Sequence, residues 1–387
     1  MPGTPFISVV FSLLVALFAT AAVGEEPAPR EVADFQTSAA IWSTPTVAGG
    51  SIYVGSDDNS LYALSADSLQ LKWRHPTGGR VRCSPLVTGG LVIFSSDDGW
   101  LRAVETRSGQ RRWRIRLDDT GAVRSLPSVH PPYLYDYRQS SPVLADGTIY
   151  VGSADGRLLA LDPADGAVRW TAATDGAVRA TPVVRDGRVY VGSFDQHVHA
   201  FDAASGKRLW SHDMGGIVNS AVAADGRRVY AGSRATRVVA LDAATGAEVW
   251  QYDHEDGSWV ESPGVVRDGV LYIGSSDALV VHALDAATGT ERWSHRAGGW
   301  TWGRPLVTDR AVVVGVISAS PYYFPGVDLT HGLVAVDRAG GGLLWRLSGP
   351  PATGFITGGV FATPVVLDSG LLVAGLDGRL RLYRGAP

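Results

Sequence analysis

The chain has 387 residues, a formal net charge of −4 and a single cysteine, Cys83. Lysine and arginine are scattered along the sequence, so it lacks the basic cluster typical of a nucleic-acid-binding surface. One cysteine excludes internal disulfides and a cysteine-based metal site. The length suits one large domain built by repetition.

The N-terminus resembles an export signal. Residues 6–19 form an apolar run that ends in small residues before the chain turns polar. This pattern predicts a secretory signal peptide over residues 1–24, cleaved after Ala21 or Gly24, and a periplasmic or secreted protein. No lysine or arginine precedes the run, which leaves an uncleaved N-terminal anchor as the alternative. Residues 25–33 are expected to form a flexible leader.

Seven copies of one motif follow, and a tryptophan closes each copy. Each copy contains a Ser/Thr-Pro pair, an Asp-Gly or Gly-Gly turn, a β-branched run, and an Ala-x-Asp that leads to a glycine and the tryptophan. The alternation has period two, which is typical of strands. The tryptophans are 40, 57, 40, 40, 43 and 52 residues apart. They are Trp73, Trp113, Trp170, Trp210, Trp250, Trp293 and Trp345.

A period near 40 accommodates four short strands and their turns, which make one propeller blade. An eighth copy begins at Ala362 and ends without a tryptophan. Phe35 lies ten residues before Pro45 and is expected to take the missing aromatic position. The sequence therefore predicts an all-β fold over residues 34–387. It is an eight-bladed propeller of four-stranded antiparallel blades, closed by an N-terminal strand that removes both free sheet edges.

The segment 240–250 matches the tryptophan-docking motif Ala-x-Asp-x-x-Thr-Gly-x-x-x-Trp. In this repeat the chain resembles the quinoprotein-type (PQQ-like repeat) propellers. That family contains PQQ-dependent dehydrogenases, BamB-type outer-membrane assembly factors and propellers without known activity, so the fold alone does not choose a function. Leu69 replaces the motif's glycine in the first blade, and Ala221 is assigned the place of the proline in the fifth. No cysteine near the N-terminus offers the lipid attachment typical of BamB.

Three insertions, at residues 114–139, 318–331 and 346–361, are expected on one face of the ring, here called the insertion face. Long loops on a rigid scaffold commonly carry function, and clustered aromatics suit a partner surface. The alternative is that these aromatics pack on one another as a structural cap. The predicted partner-binding residues are Tyr133, Tyr135, Tyr137, Tyr322, Tyr323 and Phe324.

The residue three before each proline position samples the axial mouth. In blade order these residues are Trp42, Arg82, Gln139, Arg179, Val218, Val260, Trp302 and Phe361, and Asn219 and Glu261 each stand one position later. Arg82 and Arg179, with Trp302 to stack, form a hypothetical site for PQQ or another planar anion. Asn219 and Glu261 are hypothetical Ca²⁺ ligands. The alternative is a hydrated funnel in which the arginines bridge neighbouring blades.

Two functions follow. The first is a monomeric, non-catalytic, extracytoplasmic scaffold, BamB-like, that needs no cofactor and binds protein or peptide partners through the insertion face, in a membrane-assembly complex. The second is a small oxidoreductase dependent on PQQ and Ca²⁺. The sequence lacks the adjacent cysteine pair of alcohol-oxidising relatives and a Cys-x-x-Cys-His haem motif, which favours the scaffold.

Overall fold

The computed structural model describes residues 26–118, 136–254, 257–318, 326–327, 329–349 and 358–385. Over these residues the chain forms 32 β-strands, arranged as eight four-stranded antiparallel sheets. The predicted eight-bladed all-β propeller is confirmed. The described residues include no helix that is long and apolar enough to span a membrane.

The first four blades take their strands consecutively from the chain. Blade 1 contains β2 (Thr46–Ala48), β3 (Ser51–Ser56), β4 (Ser60–Ser65) and β5 (Leu71–Pro76). Blade 2 contains β6 (Leu86–Thr88), β7 (Leu91–Ser96), β8 (Trp100–Glu105) and β9 (Arg111–Arg116). Blade 3 contains β10 (Val143–Ala145), β11 (Thr148–Gly152), β12 (Arg157–Leu161) and β13 (Val168–Ala173). Blade 4 contains β14 (Val183–Arg185), β15 (Arg188–Gly192), β16 (His197–Asp202) and β17 (Arg208–Asp213).

The remaining blades follow the same order, except that the last one borrows a strand. Blade 5 contains β18 (Ala223–Ala224), β19 (Arg228–Gly232), β20 (Arg237–Asp242) and β21 (Glu248–Asp253). Blade 6 contains β22 (Val265–Arg267), β23 (Val270–Gly274), β24 (Val280–Asp285) and β25 (Glu291–Arg296). Blade 7 contains β26 (Leu306–Val307), β27 (Ala311–Val316), β28 (Gly332–Asp337) and β29 (Leu343–Ser348). Blade 8 contains β30 (Val365–Leu367), β31 (Gly370–Ala374) and β32 (Arg379–Arg384), with β1 (Arg30–Gln36) as its outer strand.

Burial follows the position of a strand within its blade. The two middle strands are packed between neighbouring blades on both faces, so β3 is buried along its whole length. The outer strand β17 meets solvent, and it alternates between exposed and buried or half-buried residues over most of its length. The hydrophobic core therefore lies between blades, as a series of clusters around the ring.

Each blade docks on the next through its tryptophan. The Nε1–H of Trp210 donates a hydrogen bond to the carbonyl of Ala243 at 3.1 Å. The ring of Trp210 lies against Gly246, where a Cβ atom would come within 2.6 Å of it. Gly246 also has a φ of +74°, so both the close approach and the backbone conformation require glycine. Five other motif tryptophans make the same hydrogen bond to a carbonyl of the following blade.

Strand β1 closes the ring by pairing antiparallel with β32. It begins at Arg30, inside the segment expected to be a flexible leader. Its register corrects one expectation: Ala33, and not Phe35, lies opposite Leu382, where the other blades have tryptophan opposite alanine. Phe35 lies two residues further on, opposite Leu380, and packs edge-to-face on Tyr62.

This register explains why the first blade lacks the motif's glycine. In six of the seven other junctions between blades, a tryptophan fills the space that a glycine leaves open. At the closure the preceding blade presents the small Ala33 instead, and Leu69 fills the space from the other side, 2% exposed and in the same cluster. Leu69 retains a positive φ of 56°. The exchange of a large and a small residue across the interface keeps the core filled.

The insertions are attached to one face of the ring, as expected. In the regular blades, the link from an outer strand to the next inner strand contacts the turn between the second and third strands. For example, the N–H of Gly78 donates to the Oδ2 of Asp98 at 2.8 Å. The chain enters and leaves the segments 119–135, 319–325 and 350–357 at this same face. Those segments lie outside the described residues, and with them Tyr133, Tyr135, Tyr322, Tyr323 and Phe324.

Candidate functional site at the mouth of the propeller

A ring of eight side chains, one from each blade, surrounds the axis on the insertion face. A repeated backbone contact sets their positions: the N–H groups of Val81, Val218 and Val260 each donate at 3.1 Å to a carbonyl of the preceding blade. The residue that follows the donor of this hydrogen bond lies at the mouth. The mouth ring consists of Trp42, Arg82, Gln139, Arg179, Asn219, Glu261, Trp302 and Phe361.

The register of blades 5 and 6 therefore differs from the one expected. Val218 and Val260, expected at the mouth, are each 1% exposed and packed between blades. Asn219 and Glu261 occupy the mouth positions themselves. Counting back from the proline misplaced both blades. In blade 6, Pro263 follows the valine of the backbone contact by three residues, and not by four as in the other blades; blade 5 has no proline at this position.

A segment from the link before blade 3 crosses the mouth and closes it. We call this segment, Asp136, Tyr137 and Arg138, the plug. The hydroxyl of Tyr137 donates to the carboxylate of Glu261 in blade 6. A guanidinium N–H of Arg138 donates to the carbonyl of Trp302 in blade 7 at 2.6 Å. The plug thus connects blades on opposite sides of the ring.

Aromatic stacking holds the plug in place. The ring of Tyr137 stacks on Trp302, with centroids 4.8 Å apart and planes 11° apart. Trp300 also stacks on Trp302, with centroids 4.7 Å apart and planes 9° apart. Tyr137 also contacts Trp42 at 5.7 Å and Phe361 at 5.5 Å. Each such pair contributes about 0.5–1.5 kcal/mol beyond area burial. Tyr137 is thus part of a hydrophobic core cluster with Trp42, Trp300 and Trp302.

The two arginines expected to hold an anion are paired within the chain. Arg82 donates to both carboxylate oxygens of Asp57 at 2.7 Å, and also to the carbonyl of Tyr137 at 3.1 Å. Arg179 forms an ion pair at 2.7 Å with Asp136 of the plug. Both guanidinium groups are buried, and a carboxylate compensates each charge.

The predicted metal ligands are also engaged. Glu261 is 1% exposed and accepts hydrogen bonds from Tyr137, from the Nε of Arg234, and from the Nδ2 of Asn219 at 3.1 Å. Burial raises the pKa of Tyr137, and the charge of Glu261 raises it further, so the phenol stays protonated and donates. Burial lowers the pKa of Arg234, but the charge and hydrogen bond of Glu261, together with Tyr137 and Asp136, outweigh burial and raise that pKa overall. The Oδ1 of Asn219 has no hydrogen-bond partner in the described part of the chain.

The arrangement determines what the mouth accommodates. A planar quinone needs a free face of Trp302 and an uncompensated cation, whereas Tyr137 and Trp300 both stack on Trp302 and both arginines are paired. The described residues contain no group of three metal-ligating His, Cys, Asp or Glu side chains. As placed, Arg82, Arg179 and Trp302 are not free to hold PQQ while Tyr137 occupies the mouth.

The structure also corrects the assignment of Tyr137 to a partner-binding surface. Its side chain is 1% exposed and packs on other aromatic side chains. For Tyr137 this is the structural cap named above as the alternative to a partner surface. Asp136, Arg138 and Arg234 were missed as site residues. The first two lay inside an insertion, and Arg234 lay at an ordinary inter-strand turn, so no motif distinguished them.

Fold and site together define an eight-bladed PQQ-like repeat propeller with a plugged axial mouth. The family described as outer membrane protein assembly factor BamB matches residues 30–138, 136–258 and 234–384. The chain belongs to this family. A search of curated proteins finds no match.

Solved structures with the same fold include both kinds of relative. BamB from Moraxella catarrhalis aligns with a TM-score of 0.59 and 19% identity, over 74% of this chain and 96% of that one. The quinohemoprotein alcohol dehydrogenase of Comamonas testosteroni aligns with a TM-score of 0.69 and 13% identity, over 92% and 76%. The computationally designed protein Ika8 aligns with a TM-score of 0.69 and 16% identity, over 92% and 99%. At these identities the likeness concerns the fold alone.

Proposed function

We propose that this chain is an extracytoplasmic scaffold that binds a protein or peptide partner through its insertion face, within an outer-membrane protein assembly complex. The observation that carries the proposal is the plugged mouth. Arg82, Arg179 and Trp302, the residues a cofactor would need, instead contact the plug. Membership in the BamB family supports the same reading.

The insertion face is proposed as the binding surface because of how the plug is built. The segment 119–135 ends at Asp136, which is held by the ion pair to Arg179, so the insertion leaves the ring from a fixed point. A loop that starts from a rigid platform loses less conformational freedom on binding. The aromatic residues proposed to contact the partner are Tyr133, Tyr135, Tyr322, Tyr323 and Phe324. The signal peptide over residues 1–24 is proposed to export the chain to the periplasm.

Site-specific photocrosslinking in cells tests this assignment. A photoreactive phenylalanine analogue would replace Tyr133 or Tyr322, and, as a control, Leu209, which is 43% exposed on the outer strand β17. We expect the same envelope protein to be crosslinked from both insertion positions and not from Leu209. Equal crosslinking from all three positions, or none from the insertions, would overturn the proposal.

The oxidoreductase is the second candidate, because the mouth ring does bring Arg82, Arg179, Trp302 and Glu261 together. It requires the plug to leave the mouth. Calorimetric titration of PQQ with Ca²⁺ into the mature protein separates the two functions. Stoichiometric binding that is lost in Arg179→Ala would favour the second candidate. If neither protein gives heat of binding, the scaffold stands.

A further inference from the structure

Below the plug, the inner strands form a second ring, two residues further along each blade than the mouth ring. Its members are Thr44, Ser84, Ser141, Thr181, Ala221, Pro263, Arg304 and Thr363, and all line the axial cavity of about 710 Å³. Five of the eight carry hydroxyl groups. Arg304 is the ring's single charged residue, in a sequence position where the other proline-containing blades have serine or threonine.

Three hydroxyl groups of this ring are available to donate. The Oγ of Ser141 accepts the N–H of Ser84 at 2.9 Å, and the Oγ1 of Thr181 accepts the N–H of Ser141 at 3.1 Å. The Oγ1 of Thr44 accepts the N–H of Thr363 at 3.0 Å. Each of these oxygens accepts one backbone N–H and keeps a hydroxyl proton that can donate to a ligand. These three hydroxyl protons have no acceptor among the described residues.

The charge of Arg304 is uncompensated in the described part of the chain. Its side chain is exposed to the cavity, and no carboxylate or other acceptor within the described residues pairs with it. The surrounding protein displaces bulk water, which lowers the pKa of Arg304 by desolvation. Arg82, Arg138 and Arg179 also line the cavity, but Arg82 and Arg179 are each paired with a carboxylate and Arg138 donates to the carbonyl of Trp302. The described lining contains no Asp or Glu. A partly desolvated cation without a counter-ion favours an anionic ligand.

The open end of the cavity adds an apolar requirement. The plug closes the end at the insertion face, so a ligand enters from the opposite face, where the tight hairpins lie. The cavity there is lined by Val87, Leu144, Val265 and Val307, and Leu144 is 39% exposed. An anion that reaches Arg304 through this entrance places the rest of its body against hydrocarbon.

We propose that the axial channel is a binding site for a small carboxylate on an apolar stem, held by Arg304 and the hydroxyl ring and entering from the hairpin face. This site is distinct from the proposed partner surface on the insertion face, and its test does not depend on that surface. A charge-assisted hydrogen bond in a confined site is roughly twice as strong as a neutral one, so Arg304 is expected to supply most of the recognition.

Calorimetric titration of octanoate into the mature protein tests the site. Acetate lacks the stem, octanol lacks the charge, and inorganic phosphate has charge without a stem, so each is expected to bind at least about tenfold more weakly. Arg304→Thr, which restores the residue type of the other blades, should weaken octanoate binding by about tenfold or more. Arg304→Lys should retain part of it. Arg227→Thr, an exposed control on a hairpin, should bind octanoate like the unaltered protein.

Two further measurements distinguish loss of ligand binding from loss of folding, and one source of the carboxylate from another. Arg304→Thr should unfold at the same temperature as the parent or higher, because it removes an unpaired cation, whereas a structural arginine would lower that temperature. A short apolar peptide with a free C-terminal carboxylate, compared with its amidated form, tells whether the carboxylate comes from a chain end or from a small molecule. If octanoate does not bind at millimolar concentration, or binds equally to Arg304→Thr, the proposal is overturned. Phosphate binding as tightly as octanoate would overturn the ligand class.

Discussion

The hydrogen bond from Tyr137 to Glu261 is the strongest single test of the plug. Replacing Tyr137 with phenylalanine keeps the ring stacked on Trp302 and removes only the hydroxyl. The bond is buried at both ends, since the two residues are each 1% exposed, and its acceptor is charged. Loss of a buried hydrogen bond to a charged group costs about 1.5–3 kcal/mol.

This free energy translates into a measurable change in unfolding temperature. A folded chain of roughly 350 residues has an unfolding entropy of about 0.75 kcal/mol/K, so a loss of about 2 kcal/mol lowers Tm by about 3 °C. Tyr252→Phe is the matched control, because Tyr252 donates to the carboxylate of Glu291 at 2.8 Å, where the acceptor side chain is 33% exposed. Water replaces that bond readily, so its loss should cost less than about 1 kcal/mol and about 1 °C.

Differential scanning calorimetry of the two variants and the parent gives the comparison. We expect a larger drop in Tm for Tyr137→Phe than for Tyr252→Phe. Equal shifts, or no shift for Tyr137→Phe, would show that the hydrogen bond does not hold the plug over the mouth.

Three further predictions concern the blades. Gly246→Ala should lower the free energy of unfolding in urea by about 1–3 kcal/mol more than Gly269→Ala does. The two glycines have similar φ angles, +74° and +73°, but only at Gly246 would a Cβ atom come within 2.6 Å of the ring of Trp210. Equal losses would mean that backbone strain alone matters. Cys83 is fully buried, and burial raises the pKa of its thiol to about 11, so alkylation at pH 8 should follow global unfolding, and rapid labelling of the folded protein would contradict this. Burial raises the pKa of Asp195, but hydrogen bonds from a histidine and backbone N–H groups outweigh it and lower the pKa from 3.8 to about 2. Because this pKa is lower in the folded state, ionised Asp195 stabilises the folded protein above about pH 4, and this stabilisation is lost between about pH 4 and pH 2. Asp195→Asn should therefore reduce the fall in Tm over that pH range. A fall in Tm as steep as that of the parent would refute the role of Asp195.

Much of the fold was readable because a propeller repeats one short pattern. Alternation of period two, Gly-containing turns and the spacing of the tryptophans determine strands, blades and the face of each insertion, since all of these depend on residues close in sequence. The closing strand was also predicted, because the eighth copy lacks its outer strand. Its exact register was not, because Phe35 looked like the missing aromatic, while packing between Ala33 and Leu69 decided the alignment.

Only part of the site could be predicted from the sequence. The repeat identified Arg82, Arg179, Trp302, Asn219 and Glu261 as residues near the axis, and the structure places all five in one ring. Counting from prolines misaligned two blades by a residue, because backbone hydrogen bonds between blades, and not the prolines, set where each inner strand begins.

What the sequence determined by itself is the architecture: strands, blades and turns arise from local alternation and glycine geometry. What only the tertiary structure decided is which groups neutralise one another at the axis. Tyr137 and Glu261 are separated by 124 positions in the chain, and their contact exists because the ring brings opposite blades together over a narrow channel. No local pattern encodes such a pair, since its energy depends on burial and geometry that arise only after the ring has closed.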